Sequence, residues 1–291
     1  MIVIISQEDR IQLHWNLSKE NITLGGALTL RAECELISKI NGQKIFQVFV
    51  TPGANSLEKI DRLFLIVFKS SQLKFELGLK LVNIPIYPDE FITESINLET
   101  FSTQRLTALH TSLHILPSLI WRKEILEQVK NFLSQLEKRR YILITLKNVT
   151  GDFPDGKANL DSWYSAMQIL NDELDLNFLI IGEDNLGKEL PAKDFMIRMQ
   201  DLKTDLQVQL AMISHGPIFI GTASGAATPA ILGEHPYTIY KHPKHHTESM
   251  NKELVDGKFS FALNSQNFKV FLPSVEDIVE DALQHWKDLN K

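Results

Sequence analysis

The chain is poor in cysteine: Cys34 stands alone among 291 residues, so no intrachain disulfide can form. That excludes a disulfide-stapled secreted scaffold and points to a reducing compartment, which makes the cytoplasm the expected location. Cys34 lies within a helical apolar pattern, where a small buried residue is the expected role rather than a nucleophile. Long apolar runs are missing too. None approaches the ~18 residues that mark a membrane-spanning helix. The opening Met1-Ile2-Val3-Ile4-Ile5 has no basic flank and runs straight into Gln7-Glu8-Asp9-Arg10, unlike a signal peptide. Positive charge is in deficit, with 30 Lys and Arg against 36 Asp and Glu for a net charge of −6. An acidic chain with scattered basic residues lacks the footprint of a nucleic-acid binder, and its one tight basic cluster, Lys138-Arg139-Arg140, reads as a solvated helix end. Also absent is a Gly-x-Gly-x-x-Gly fingerprint after the first strand of either half, which argues against a dinucleotide-dependent dehydrogenase.

What is present is ordinary for a globular protein: 44% hydrophobic and 23% charged residues, at a length suited to two domains. The first half alternates strands and helices. Ile2 to Ile5 reads as a strand buried on both faces, followed by a polar stretch, Gly25-Gly26 and a helical pattern over 27–40. Asn41-Gly42 stops that helix. Residues 45–50, 63–68 and 81–87 read as further strands, and 89–116 gives no clear pattern. A helix is predicted over 117–137, with Pro117 in its first turn and an apolar stripe from Leu119 through Leu136.

The second half repeats the grammar. Strands are predicted at 141–146, 178–181, 217–221 and 237–240, and helices at 163–174, 204–215, 224–232 and from Ser274 onward. Thr204-Asp205-Leu206-Gln207 has the spacing of a capping box, and Ser274-Val275-Glu276-Asp277 caps the final helix. The expected architecture is therefore α/β: two Rossmann-like α/β/α domains facing across a cleft. The expected divisions are an N-terminal domain over 1–116, a connecting helix over 117–140 and a C-terminal domain over 141–291. Open parallel sheets bind ligands beyond the carboxyl ends of their strands.

Six stretches could carry chemistry. In Phe219-Ile220-Gly221-Thr222-Ala223-Ser224-Gly225-Ala226-Ala227-Thr228-Pro229 an apolar strand runs into a turn of small residues and then a helix. Free amides and a helix N-terminus there suit a phosphate or diphosphate, with Thr222 and Ser224 adding hydroxyls and Gly225 close approach. A plain strand-to-helix turn with Ser224 as N-cap is the competing reading. Lys147, directly after the first strand of the second half, offers a point charge to a diphosphate. Gly182, with Glu183 and Asp184, ends the strand at 178–181 as a further donor-side candidate, where an acid could bind a ribose hydroxyl or simply be solvated. Lys241-His242-Pro243-Lys244-His245-His246 follows a later strand at the same edge, and its Lys241, His242 and His245 suit phosphate or base contacts better than a metal, which is not expected. In the first half, Gly25 and Gly26 open a helix where a bound substrate could approach the backbone. Glu8, Asp9 and His14 are candidates for a general base.

The segment Gln209-Leu210-Ala211-Met212-Ile213-Ser214-His215, followed by Phe219-Ile220-Gly221-Thr222-Ala223-Ser224-Gly225, resembles the donor domain of GT-B glycosyltransferases. It is most similar to the heptosyltransferase-like group, whose turn has the form Gly-Thr/Asn-Asp-Ser-Gly. The resemblance spans about residues 141–241 and, in outline only, the first half. It implies that Thr222, Ser224 and Gly225 contact a nucleotide-activated sugar and that Lys147 lies near its phosphates. Gly25 and Gly26 would then belong to the acceptor side. The implied activity is transfer of a sugar from a nucleotide donor, as co-substrate, to a glycan or other hydroxyl acceptor. Inversion without a metal or other cofactor is the expected course. The chain departs from the family pattern at Ala223, where the turn usually has an acid, and over Ala226-Ala227-Thr228-Pro229, which lacks the later His. Those departures leave two alternatives: a non-catalytic nucleotide- or sugar-binding partner subunit, and a sugar-nucleotide epimerase or hydrolase of the same fold.

Overall fold

The structure, a computed structural model, describes residues 10–18, 22–42, 45–53, 57–84, 86–88, 102–136, 140–148, 156–182, 186, 190, 193–245 and 253–290. The expected strand at Ile2 to Ile5 lies outside them. The chain divides into two compact units, Met1–Lys123 and Glu124–Lys291.

The first unit contains a parallel sheet in the order β3-β2-β1-β4. Its strands are β1 (Arg10–Asn16), β2 (Ile45–Thr51), β3 (Lys74–Leu77) and β4 (Ile86–Tyr87). β1 occupies part of the stretch read from sequence as polar. Its residues alternate: Ile11, Leu13 and Trp15 are buried on one face, while Arg10, Gln12 and His14 share the other. Helix α1 (Leu24–Asn41) begins at the N-cap Thr23, whose hydroxyl accepts from Gly26 N at 3.0 Å. It ends at Gly42, whose φ of +76° is the left-handed stop expected there.

Residues 63–68, expected as a strand, are helical. Helix α2 (Leu57–Leu63) continues into a π-turn over Phe64–Phe68. Ile60, Phe64, Val67 and Phe68 are buried at three- and four-residue steps, while Leu65 is 63% exposed. A short apolar run does not by itself distinguish a strand from a buried helix.

The expected helix at 117–137 starts late: α4 runs Lys123–Ser134, after α3 (Ser102–Leu113). Residues 118–122 are held extended against the chain after the π-turn. Gln72 N donates to Ile120 O, Arg122 N donates to Ser70 O, and Ser71 pairs with Trp121. Glu137 is outside the described residues.

α1 is buried almost all round, and its buried charged residues are paired. Arg31 bonds Glu35 at 2.8 Å and donates to Val67 O and Ile120 O, with its guanidinium 4.4 Å from the Trp121 ring centre. Glu33 accepts from Arg105 at 2.9 Å and from the Tyr87 hydroxyl at 2.6 Å. Removing one member of such a buried pair typically costs ~3–5 kcal/mol, because the other charge stays behind. Cys34, fully buried beside Glu33 and Glu35, is the packing residue expected, and burial pushes its thiol pKa well up.

The opposite face of this sheet carries no helix where β3 crosses to β4. An irregular strap over 78–84, bent near Asn83 at φ +63°, crosses it instead, held by two glutamines that face each other in register on β1 and β2. Gly78 N donates to Val48 O, Gln47 Nε2 to Leu79 O at 2.8 Å, and Gln12 Nε2 to Leu81 O and Ile84 O at 3.0 and 2.9 Å. At Gly78 a Cβ would meet only the end of the Gln47 side chain, 2.9 Å from its Nε2. Only the end of the expected 81–87 strand, Ile86–Tyr87, joins the sheet.

The second unit is the more regular. Six parallel strands lie in the order β12-β9-β8-β5-β6-β7: β5 (Arg140–Thr145), β6 (Leu176–Ile181), β7 (Met196–Arg198), β8 (Phe219–Thr222), β9 (Tyr237–Tyr240) and β12 (Gln266–Lys269). A small hairpin, β10 (Leu254–Val255) with β11 (Lys258–Phe259), precedes β12. Read from β7, this is the doubly wound order 3-2-1-4-5-6. Helices α5 (Leu160–Leu174), α6 (Leu206–His215) and the short α7 (Thr228–Ile231) intervene, and α8 (Val275–Leu289) closes the unit. The final helix is capped where expected, and the cap is a full capping box between Ser274 and Asp277. The box expected at Thr204 does not form, because Asp205 takes the N-cap position without a side-chain bond. Trp163, Met167, Phe178, Ile220 and Ile278 fill the core. Each fully buried large side chain contributes ~1.5–3 kcal/mol.

Candidate functional site

In a doubly wound sheet the chain leaves the central pair of strands in opposite directions, which opens a crevice at their carboxyl ends. Here that pair is β5 and β8. Lys147 follows β5 and the small-residue turn follows β8, so both sit at the switch point. Gly182 ends β6 and Lys241 with His242 ends β9, one strand further out on either side.

The two central strands approach closely because position 221 has no side chain. A Cβ on Gly221 would lie 2.6 Å from Thr145 O and 2.9 Å from Thr145 N. Thr222 locks their ends together. Its buried hydroxyl accepts from Lys147 N at 2.7 Å and donates to Thr145 O at 3.3 Å, while Thr145 Oγ1 donates to Thr222 O at 3.3 Å. The Thr222 hydroxyl is thereby committed to the backbone, and its contribution is to set where the Lys147 loop begins.

Beyond Thr222 the chain leaves the sheet. Ala223 N makes the last ladder-like bond, to Tyr240 O at 2.7 Å. Ser224 is extended, and residues Gly225–Ala227 form a single 3₁₀ turn before α7. The helix expected over 224–232 is thus only a short turn and four helical residues, because Pro229 and Gly233 leave little room for a regular helix. A macrodipole is correspondingly small, and local amides take its place. The N–H groups of Ser224, Gly225 and Ala226 have no acceptor among the described residues. The Ser224 hydroxyl is not a cap either: its Oγ is buried without a hydrogen-bond partner. A buried hydroxyl left unpaired costs ~1–3 kcal/mol, which an acceptor bound at the turn would recover.

Positive charge flanks this turn. Lys241 is half-buried, and its ammonium pKa falls to about 8, chiefly through burial, with Lys147 lowering it further and the buried Glu253 opposing. Glu253, next to the β10–β11 hairpin, gave no signal in sequence. Its approach to Lys241 is a long-range contact. Lys241 N is tied to Lys269 O, and His242 Nδ1 accepts from Lys244 N. The side chain of His245 lies outside the described residues, as do Glu183 and Asp184. Gly182 has φ +123°, a conformation side chains rarely adopt, and its amide donates to the buried Gln209 Oε1 at 3.0 Å, so its role is to turn the chain. Among the described residues, no group of three or more His, Cys, Asp and Glu side chains is arranged to hold a metal ion.

In the first unit, Gly25 and Gly26 form the first turn of α1, as expected. The Gly26 amide is taken by Thr23, and Gly25 O accepts from the Thr29 hydroxyl. His14 stacks on Phe49 with ring centres 4.5 Å apart and shares a 2.8 Å hydrogen bond with Thr51 Oγ1. Glu8 and Asp9 precede β1 and lie outside the described residues.

The second unit is therefore a Rossmann-like domain with an amide-rich, lysine-flanked turn at its switch point, and the first is a smaller sheet of related topology. Comparison with solved structures places the whole chain in the same class. The glycosyl transferase family 9 protein of Veillonella parvula superposes with a TM-score of 0.58 at 10% identity, covering 96% of this chain and 97% of that one. The E. coli ADP-heptose lps heptosyltransferase II gives 0.51 at 11% identity over 96% and 98%. The E. coli heptosyltransferase WaaC with ADP-2-deoxy-2-fluoro heptose gives 0.50 at 11% identity over 97% and 100%. At these identities the likeness establishes the fold, which is GT-B, as the resemblance implied. No family model matches the chain, and no curated protein matches it by sequence.

Proposed function

We propose that the chain is a glycosyltransferase. Its second unit binds a nucleotide-activated sugar at the carboxyl ends of β5 and β8, and the glycosyl group passes to an acceptor hydroxyl bound on the side of the first unit, near Gly25 and Gly26. The observation that carries this reading is the turn after β8. Three amides and the Ser224 hydroxyl, without partners among the described residues, stand at the switch point of a doubly wound sheet, with Lys147 and Lys241 on either side. Such a cradle complements a diphosphate, whose charge grows as the sugar departs.

In this proposal Lys147 and Lys241 offset the leaving group's charge without a metal ion. Attack of the acceptor oxygen on the anomeric carbon breaks the bond to the diphosphate in one inverting displacement. The acceptor proton goes to a first-unit base, with His14, Glu8 and Asp9 as candidates. ADP-linked sugars are the first donors to test, because one of the similar structures holds an ADP-heptose analogue.

Thermal unfolding in the presence of nucleoside diphosphates tests the site. A ligand at a hundredfold excess over its Kd adds ~2.7 kcal/mol to a domain that binds it only when folded, a rise of roughly 5–10 °C for a domain of this size. Ser224→Asp would place a negative charge in the cradle and abolish the shift. If every diphosphate leaves the unfolding temperature unmoved, the site assignment is wrong. A radiolabelled donor tests the chemistry, since only a transferase joins the label to a second molecule. A second reading rests on Ala223, which leaves the turn without the acid usual in this group: a binding subunit that takes up the nucleotide and turns nothing over.

A further inference from the structure

The second unit has another concave site, at the opposite end of its sheet from the turn after β8. Helix α4 precedes β5 and has an apolar stripe at three- and four-residue steps, Leu126, Val129 and Leu133. That stripe faces the amino end of the sheet across an open cavity of about 680 Å³. Tyr141, the second residue of β5, Pro217, just before β8, and His215, the last residue of α6, form the far side. The sheet wall is fixed. Leu143 N donates to Ile218 O and Phe219 N to Pro236 O, both at 3.0 Å, which ties the chain around Pro217 to its neighbours on either side. Leu126, Leu133, Tyr141 and Pro217 are only partly buried, so apolar surface is left facing the cavity. Its volume falls in the range of ~300–1,000 Å³ usual for small-molecule sites.

The polar groups at this cavity are cations and donors. Lys130 lies on the same side of α4 as Leu126 and Leu133, is exposed, and makes no ion pair among the described residues. His215 is exposed on the other side, and no Asp or Glu lines the cavity. From Lys123 to Tyr141 the sequence carries five cations against three acids, a net of +2 on a chain whose total is −6. Strand register puts Tyr237 on the same face as Tyr141, through Leu143 and Phe219. The Tyr237 hydroxyl and both ring nitrogens of His235, the neighbour of His215, are buried without partners among the described residues. This end of the sheet therefore has hydrogen-bonding capacity that the protein itself leaves unused.

We propose that the cavity binds a small hydrophobic organic anion, an aliphatic or aromatic carboxylate. Its apolar body would lie against Leu126, Leu133 and Tyr141, and its charge would meet Lys130 and His215. A charge-assisted bond at the rim of an apolar cavity fixes orientation while the walls supply affinity. The site does not depend on sugar transfer. β5 is six residues long and separates it from Lys147 by roughly 20 Å. A second copy of the chain is a poorer occupant, because a concavity of this size admits a small molecule or a single side chain and not a flat protein surface.

The probe is anilinonaphthalene sulfonate, whose fluorescence rises in apolar surroundings, compared with phenylnaphthylamine, which has the same rings and no anion. The full chain should bind one equivalent of the sulfonate. Decanoate should displace it, whereas decanol and a saturating nucleoside diphosphate should not. Phenylnaphthylamine should bind about tenfold more weakly, and Lys130→Glu should weaken the sulfonate by about as much. Leu133→Trp fills the cavity and should abolish binding, with an unaltered unfolding temperature showing that the variant is folded; should it unfold, Lys130→Glu, at an exposed position, carries the test. Absence of saturable binding would overturn the proposal. So would equal affinity for the neutral rings, or binding that both variants retain. Displacement by the nucleoside diphosphate would overturn it by placing the probe at the donor site. Concentration-dependent dimerisation abolished by Leu133→Trp would assign this face to a contact between copies instead.

Discussion

Replacing Thr222 by Val tests whether the site is built from the sheet outward. Valine keeps the shape of threonine but removes the hydroxyl that accepts from Lys147 N at 2.7 Å and donates to Thr145 O at 3.3 Å. Thr222 is only 8% exposed, so water cannot readily take the place of the lost bonds. Leaving one buried amide unsatisfied costs ~1–3 kcal/mol, a fall of roughly 2–12 °C in the unfolding temperature of a domain this size. The functional effect should exceed the structural one. The first residue of the Lys147 loop loses its anchor, and an ammonium that no longer points consistently at the diphosphate loses most of its value; a tenfold loss of affinity is ~1.4 kcal/mol. Thr222→Ser retains the hydroxyl and should recover both properties in large part. The assays are thermal unfolding and calorimetric titration with a nucleoside diphosphate. If Thr222→Val binds the diphosphate as tightly as the parent and melts at the same temperature, the hydroxyl does not organise the site and the reasoning fails.

Three further expectations follow from the same geometry. Burial lowers the pKa of His235 from 6.5 to about 4, aided by the neighbouring His215, and neither ring nitrogen has a hydrogen-bond partner among the described residues. The unfolded chain therefore takes up a proton that the folded one refuses, so stability falls as pH drops from about 6.5 toward 4, by up to ~3 kcal/mol from this group. Urea titrations should show that slope flattened in His235→Asn. Lys241, with its pKa near 8, should make diphosphate binding weaken as pH rises past 8 and the ammonium discharges; Lys241→Arg should carry binding to higher pH, as calorimetry from pH 7 to 9.5 would reveal. Arg105→Leu strands Glu33 in the core and should cost ~3–5 kcal/mol, far more than a surface charge change, measured by denaturant unfolding.

Much of the second unit was legible in the sequence because both faces of its sheet are covered by helices, which makes its strands continuous apolar runs. Phe178-Leu179-Ile180-Ile181 and the run into Gly221 could be read as strands directly. The turn after β8 was legible from residue type alone, since small residues between an apolar strand and a helix leave room for a phosphate. Its inner workings were not. Thr222 carries a hydroxyl suited to a ligand, and only the pairing of β8 with β5 shows that the hydroxyl faces Lys147 N and Thr145 O. The nearness of Lys241, Lys147 and Glu253 was likewise out of reach, because it joins the ends of two strands to a residue beside a hairpin.

The first unit was harder to read for a reason that its structure makes plain. Arg10-Ile11-Gln12-Leu13-His14-Trp15-Asn16 has strict period-two alternation, the sign of a strand with only one apolar face. An expectation of parallel strands buried on both sides hides that signal. The polar half of the pattern exists because the strap, lacking the internal hydrogen bonds of a helix, must find donors elsewhere, and Gln12 and Gln47 supply them from the sheet. The replacement of a helix by a strap thus explains two things together: the glutamines in the strands, and aliphatic residues at 79 and 82 that are left exposed. A helix in this layer would turn its apolar stripe inward and need no such residues outside. Gln12→Leu should accordingly lower stability in denaturant unfolding even though leucine is the more hydrophobic side chain, because it takes the donor from the Leu81 and Ile84 carbonyls and the acceptor from Leu81 N.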